Sequence, residues 1–256
     1  MRFEWEMSLP LNIWLPILEA IRLVSLFAIQ CVTSQLVKQG KLKVNYSRKI
    51  IHFSQLLSTL VINRTFFNYS LEYFIISGSL SFAESLIFIA PIRNRIRFIG
   101  FLFLSYDRPE DRPHTVRLAT TQIIGMNIAL IGVAYLYGFS GLPLDLLALP
   151  LVITAFGDGL AEPIGIRFGR HKYRTKELFG NRIYTRSYEG SAMIFLTTIV
   201  VLSSSCHLFS LSALICLFAI LPLLMTVTEA QSPHTWDNPF LYLIGGIAIY
   251  VFVLLT

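Results

Sequence analysis

The sequence predicts an all-α fold, a polytopic transmembrane helical bundle. Three observations carry this. Apolar residues make up 54% of the 256 residues. Charged residues make up only 14%, where a soluble domain carries about 25%. Long apolar runs recur to the last residue, separated by polar loops, as expected when every spanning segment must satisfy its own backbone. The whole chain, 1–256, is expected to form one integral membrane domain. It offers no soluble module for nucleic acid, which is therefore not an expected partner.

The spans are expected as follows. Glu4 and Glu6 offset Arg2, and the apolar run behind them is too long for the core of a signal peptide. That segment is expected to be retained, leading into a first span over about 11–37. Glu19 and Arg22 lie three apart in it and should form an internal ion pair. A cationic loop follows, with Lys38, Lys41, Lys43, Arg48 and Lys49, and His52 lies just inside the next run. That run, about 50–62, is short for a crossing. Arg48, Lys49 and His52 fall within one helical turn and can present two cations and an imidazole to one ligand; taken alone, they read first as topogenic cations and a satisfied interfacial histidine. The third span, about 71–92, carries Glu84 at mid-depth, where a carboxylate is either functional or hydrogen-bonded inside the bundle. A second cationic loop runs over 93–117. Its core, YDRPEDRPHTVR, has two prolines that disfavour helix, and reads as a rigid, self-paired surface loop.

Span four is expected at about 119–139, span five at 144–156, span six at 192–208, span seven at 211–226 and span eight at 240–256. Between five and six lies a polar stretch with seven cations: Arg167, Arg170, Lys172, Arg174, Lys176, Arg182 and Arg186. Cys31, Cys206 and Cys216 sit in apolar runs without metal-ligand spacing and read as packing residues. The loops 38–49, 93–117 and 167–186 hold 18 of the 21 Lys and Arg residues. With eight spans, all three lie on one face; if span two or span five fails to cross, leaving seven, they do not. The positive-inside rule makes that face cytoplasmic and puts both termini outside. The loop with Glu229 and Asp237 falls on the same face.

Candidate chemistry concentrates in 156–191. Asp158 lies at the expected end of span five, between Gly157 and Gly159. Glu189 lies at the start of span six. A dense cationic loop between two carboxylates suits a phosphate polyanion with a metal. The plainer reading is a helix-end carboxylate with glycines serving helix packing, which Gly165-x-x-x-Gly169 suits well.

At these residues the chain resembles the polyprenol kinase family, the phytol, farnesol and dolichol kinases. Arg48-Lys49-x-x-His52 resembles the family's early RKxxH. Gly157-Asp158-Gly159-x-Ala161-x-x-x-Gly165 with Gly169 resembles its GDG segment. Ser187-x-Glu189-Gly190-Ser191 resembles its KSxEGS, with Arg186 replacing the lysine. Glu229 and Asp237-Asn238 resemble its late acidic pattern. The matching region spans about 48–239. The glycine usual after the early histidine is absent, and YDRPEDRPHTVR has no counterpart we can place. The resemblance implies transfer of the γ-phosphate of a nucleoside triphosphate, typically CTP, to the hydroxyl of a membrane-dissolved isoprenoid alcohol, with Mg2+ as cofactor.

Phosphoryl transfer needs cations on phosphate oxygens, a metal and a positioned hydroxyl. No Walker A segment is present. Gly157, Gly159 and Gly190 are candidates for close phosphate approach to backbone N–H groups. Lys172, Lys176, Arg182, Arg186 and Ser187 are candidate phosphate contacts, with Arg48, Lys49 and His52 as further ones. Asp158, Glu189 and Asp237 are candidate magnesium ligands, and Asp158 is also a candidate base. Two other readings stand beside this one. A cytidylyltransferase of the CDP-diacylglycerol synthase type also pairs a GD step with a basic segment, but a lysine is expected where Gly159 stands. A non-catalytic anionic-lipid-binding or transport protein would use the basic loops alone. The kinase reading expects Asp158→Asn or Glu189→Gln each to abolish turnover; the binding protein tolerates both.

Overall fold

The computed structural model describes residues 11–67, 70–178 and 181–255, so the N-terminal segment 1–10 lies outside the described residues. The helices are α1 (Leu11–Lys38), α2 (Val44–Phe66), α3 (Leu71–Ile87), the short α4 (Ala90–Arg95) and α5 (Arg97–Phe103), α6 (Thr115–Phe139), α7 (Ala148–Phe168), α8 (Tyr188–Ser204), α9 (Leu211–Gln231) and α10 (Asp237–Leu255). Each expected span thus has a helix. Five helical segments are long and apolar enough to cross a membrane: those of α1, α6, α7 with its leading turn, α9 and α10. Their outer faces are apolar, with Val24, Val32, Tyr135, Phe139 and Leu211 all more than half exposed. An apolar exterior of this kind suits lipid and not water.

Several expected boundaries move, each for a local reason. α2 begins at Val44, so Arg48 and Lys49 sit on a helix and not in a loop. α3 stops at Ile87, where Ala90-Pro91 opens α4, so the loop 93–117 is partly helical. α7 runs on to Phe168, which puts Asp158 in the interior of a buried helix and not at its end. α8 starts at Tyr188 because the Ser187 hydroxyl caps it, accepting from the Gly190 N–H at 3.1 Å. Glu229 lies in the last turn of α9 and Asp237 opens α10. The polar stretch after α7 folds as an antiparallel hairpin, β1 (Lys172–Lys176) paired with β2 (Ile183–Ser187), with Tyr173 opposite Arg186. The cysteines are not buried packing residues: Cys206 is exposed and the other two only half-buried, because these apolar runs turn one face outward.

α7 is the central element. In its most apolar stretch 72% of residues are buried, against 22–44% in the other four candidate spans. It packs on α8 through glycine. A Cβ on Gly157 would lie 2.6 Å from Ile194 Cδ1, and one on Gly190 would lie 2.7 Å from the Ala161 carbonyl oxygen. Backbone cannot give way as a side-chain tip can. Gly190→Ala is therefore expected to destabilise by about 1–3 kcal/mol. Gly138→Ala, where nothing lies within 4 Å, should be neutral or stabilise by up to about 1 kcal/mol. Thermal unfolding in detergent reads both.

Two polar clusters are buried along the helices. Arg22 donates to Glu19 at 2.7 Å, and Tyr73 adds its hydroxyl to Glu19 at 2.6 Å. Glu84 accepts from Gln30 Nε2 at 2.8 Å. The expected ion pair in α1 is present, and the mid-depth carboxylate is hydrogen-bonded inside the bundle.

Candidate functional site

Four polar loops meet at one end of the bundle. They are joined by direct bonds: Asn45 to Glu162 and Glu110, Arg108 to Glu162, His234 to Asp111, Arg182 to the Arg112 carbonyl, and the His234 backbone N–H to the Lys176 carbonyl. They enclose a polar cavity of about 530 Å³.

α2 and α7 form one wall. Lys49 Nζ donates to Asp158 Oδ2 at 2.8 Å and lies 3.6 Å from Glu162 Oε2. Asp158 and Glu162 are four apart on α7, which puts both carboxylates on the face toward Lys49. His52, one turn along α2 from Lys49, brings Nε2 to 3.8 Å from Asp158 Oδ2. Arg108, from the proline-rich loop, closes the next side. It donates to Glu162 at 2.9 Å and pairs with Asp111 at 2.7 Å, and is itself only 4% exposed. Burial alone would raise the Asp111 pKa; the His234 hydrogen bond and the Arg108 charge outweigh it and hold the carboxyl at about 2. Burial pushes His234 below its ordinary value despite the same contact.

The hairpin and α9–α10 form the opposite wall. Arg186 donates to Glu229 at 3.0 Å and to Asp237 at 3.1 Å. Burial would lower the Arg186 pKa, but Asp237 and Glu229 raise it overall. Tyr173 OH shares a hydrogen bond with Ser191 at 2.7 Å beside the same glutamate. Arg186 serves two carboxylates from two helices, one from each terminal nitrogen of its planar fork.

Of the residues singled out from sequence, Arg48, Lys49, Asp158, Lys172, Arg186, Ser187, Gly190 and Asp237 line this cavity. Others do not. Glu189 faces away and accepts from the backbone N–H of His171, with its Oε1 2.8 Å from His171 Nδ1. Lys176 is exposed at the far end of β1. Arg182 donates to loop carbonyls at Arg112 and Glu110. Gly157 and Gly159 lie inside α7, where they make room for Ile194 and the Phe53 ring; they serve packing and not phosphate approach. The three expected magnesium ligands are thus not gathered, and among the described residues no three His, Cys, Asp or Glu groups form a metal cluster. Asp158 and Asp237 nevertheless both line the cavity. Two carboxylates fit the way magnesium is held beside substrate phosphates.

Asn45, Arg108, Glu162 and His234 line the cavity and were not anticipated. Glu162 was legible from its four-residue spacing to Asp158. Arg108 was hidden in a loop whose internal pairing, Arg112 with Asp107 and Arg108 with Asp111, accounts for its charges by itself.

A second cavity, of about 220 Å³ and mostly apolar, lies among α2, α3, α6 and α7. Arg48 and Gln122 line both cavities. The chain has no significant match among protein-family models, curated proteins or solved structures.

Proposed function

We propose that the protein is an integral membrane lipid kinase that moves the γ-phosphate of a nucleoside triphosphate, CTP being the first candidate, to the hydroxyl of an isoprenoid alcohol. The observation that supports this most is the adjacency of the two cavities. A charged chamber at one end of the bundle adjoins an apolar one within it, and the two share Arg48 and Gln122. A long chain leaves the bilayer at a cost of about 0.8 kcal/mol per CH₂. An enzyme that takes its hydroxyl from lipid and its nucleotide from water needs such a pair.

In this reading Lys49, Arg108, Arg186 and Lys172 face the phosphates. Magnesium, when bound with the nucleotide, supplies charge neutralisation on phosphate oxygens, and Asp158 and Asp237 would hold it. The ion pairs that line the chamber are the partners that phosphate and metal would exchange for. The eight longer helices, α1–α3 and α6–α10, then cross the membrane as eight spans, with the charged end cytoplasmic and both termini outside.

The test is label transfer by purified protein in detergent. CTP labelled at the γ or the α phosphate is supplied with magnesium and with phytol, farnesol, geranylgeraniol, dolichol or phosphatidate. Label from the γ position in an isoprenoid product is the expected result. Label from the α position in phosphatidate would instead identify a cytidylyltransferase. Transfer from no nucleotide to any acceptor would move the reading to a lipid-binding or transport protein.

A further inference from the structure

The second cationic loop is self-paired only in its later part, where Arg112 meets Asp107 and Arg108 meets Asp111. The stretch before it, 85–106, contains no acid. There α4 and α5 form a helical hairpin, and Ile96 makes the bend with an extended backbone between them. Gly100 lets the two helices close, since a Cβ there would lie 3.0 Å from the Arg93 carbonyl oxygen. Arg93 is engaged inside the hairpin, 4.2 Å over the Phe103 ring and donating to the Phe88 carbonyl at 3.4 Å. The next residues are not. Arg95, Ile96, Arg97 and Phe98 are all exposed in succession, Ile96 by 48% and Phe98 by 54%. Neither Arg95 nor Arg97 has an ion pair among the described residues.

The hairpin's depth follows from its contact with α1, which is long and apolar enough to cross a membrane. The Ser34 hydroxyl donates to the Leu102 carbonyl at 3.0 Å. Ser34 lies four residues before the end of α1 at Lys38, about 6 Å along the helix axis. That contact sets α5 at the boundary between lipid and water, at the charged end of the bundle. Two unpaired guanidiniums alternating with two exposed apolar side chains at that depth match one partner. A zwitterionic lipid would leave the charges uncompensated, and a soluble anion would leave Ile96 and Phe98 without contact. A phosphate diester on an acyl-chain anchor satisfies both, because guanidinium pairs well with phosphate and the apolar side chains enter the boundary below it. We infer that the apex of the α4–α5 hairpin, Arg95 to Phe98, binds the head group of an anionic phospholipid. The site is separate from both cavities, since none of these four residues lines either. It does not depend on the kinase reading.

The experiment is native mass spectrometry of the full chain in detergent, titrated with phosphatidylglycerol or with phosphatidylcholine of the same chains. Phosphatidylglycerol should bind at least about tenfold more tightly, and the double variant Arg95→Gln with Arg97→Gln should weaken it about 30-fold, at the usual contribution of a surface cation to anionic lipid. Both arginines are exposed and without an ion pair, so thermal unfolding of that variant in detergent alone should be unchanged. Phe98→Ser keeps the charge and should weaken binding several-fold. Arg170→Gln with Arg174→Gln is the control. It removes the same charge from exposed positions on and beside the β-hairpin and should weaken binding by less than about threefold. Glycerol 3-phosphate, which has the phosphate but no chains, should not displace the lipid. Equal losses in the two double variants would overturn the inference in favour of summed charge, and displacement by glycerol 3-phosphate would overturn it in favour of a soluble anion. Phosphatidylcholine bound as tightly as phosphatidylglycerol, or binding unchanged in the Arg95 and Arg97 variant, would overturn it outright.

Discussion

Asp158→Asn is expected to lower phosphate transfer on the order of 10³-fold, the upper end for deleting one charge from a transfer site, while the protein still inserts and folds. Asparagine keeps the volume and a carbonyl oxygen for Lys49, and Glu162 leaves a second carboxylate 3.6 Å from the ammonium. The ion pair is thus weakened and not orphaned. Glu189→Gln supplies the contrast. Its carboxylate faces His171 outside the cavity, so transfer should fall by less than about tenfold. Sequence alone treats the two acids alike; the geometry separates them. A stricter control is the double variant Lys49→Met with Asp158→Leu. Apolar replacement of a buried ion pair is often neutral or stabilising, so its thermal stability should match or exceed that of Asp158→Asn while transfer stays lost. If activity returned with stability, or if Asp158→Asn kept full transfer per folded molecule, Asp158 would be a structural residue only.

Helices were legible because hydropathy and length are local properties, and each apolar run expected to span has a helix in the structure. Their ends were less legible where polar residues continue a helix. Asp158 and Glu162 look like a loop entry by composition, yet α7 carries them inside because Lys49 and Arg108 reach them from elsewhere. That pairing is tertiary, with more than 50 residues between the Arg108 and Glu162 positions. The glycines were ambiguous for a similar reason. Gly157 and Gly190 suit either a phosphate or a neighbouring helix, and only the positions of Ile194 and the Ala161 carbonyl decide for the latter at Gly157 and for close α7–α8 contact at Gly190. Gly190 also lines the cavity, so packing does not exhaust its role. Cationic residues in the hairpin could not be ranked from sequence, since strand alternation puts Arg186 inward and Lys176 outward in a register no composition reveals.

Arg108→Ala is expected to be the most destabilising single change at the charged end, by about 3–5 kcal/mol, the cost of removing one partner from a buried ion network. Arg108 joins Glu162 on α7 to Asp111 in its own loop and lies 3.0 Å from His234 before α10. Its loss leaves the buried Asp111 and the partly buried Glu162 with only longer contacts to Arg48 and Lys49, at 3.9 and 3.6 Å. Arg108→Lys should recover only part, since an ammonium cannot span both acids with a planar fork. The same network has a pH signature. The Asp111 carboxyl is held at about 2 in the fold, below its unfolded value of about 3.9. Its stabilising contribution is therefore fully present above that unfolded value and is lost as pH falls through about 2. Thermal unfolding followed from pH 5 down to pH 2 should show a component that Asp111→Asn lacks. An Arg108→Ala protein as stable as the unaltered chain would mean that the loop does not lock the chamber. Phosphate transfer measured on the folded fraction then separates the two roles: a lock alone leaves turnover per folded molecule intact, whereas a phosphate-facing guanidinium costs turnover even in the molecules that remain folded.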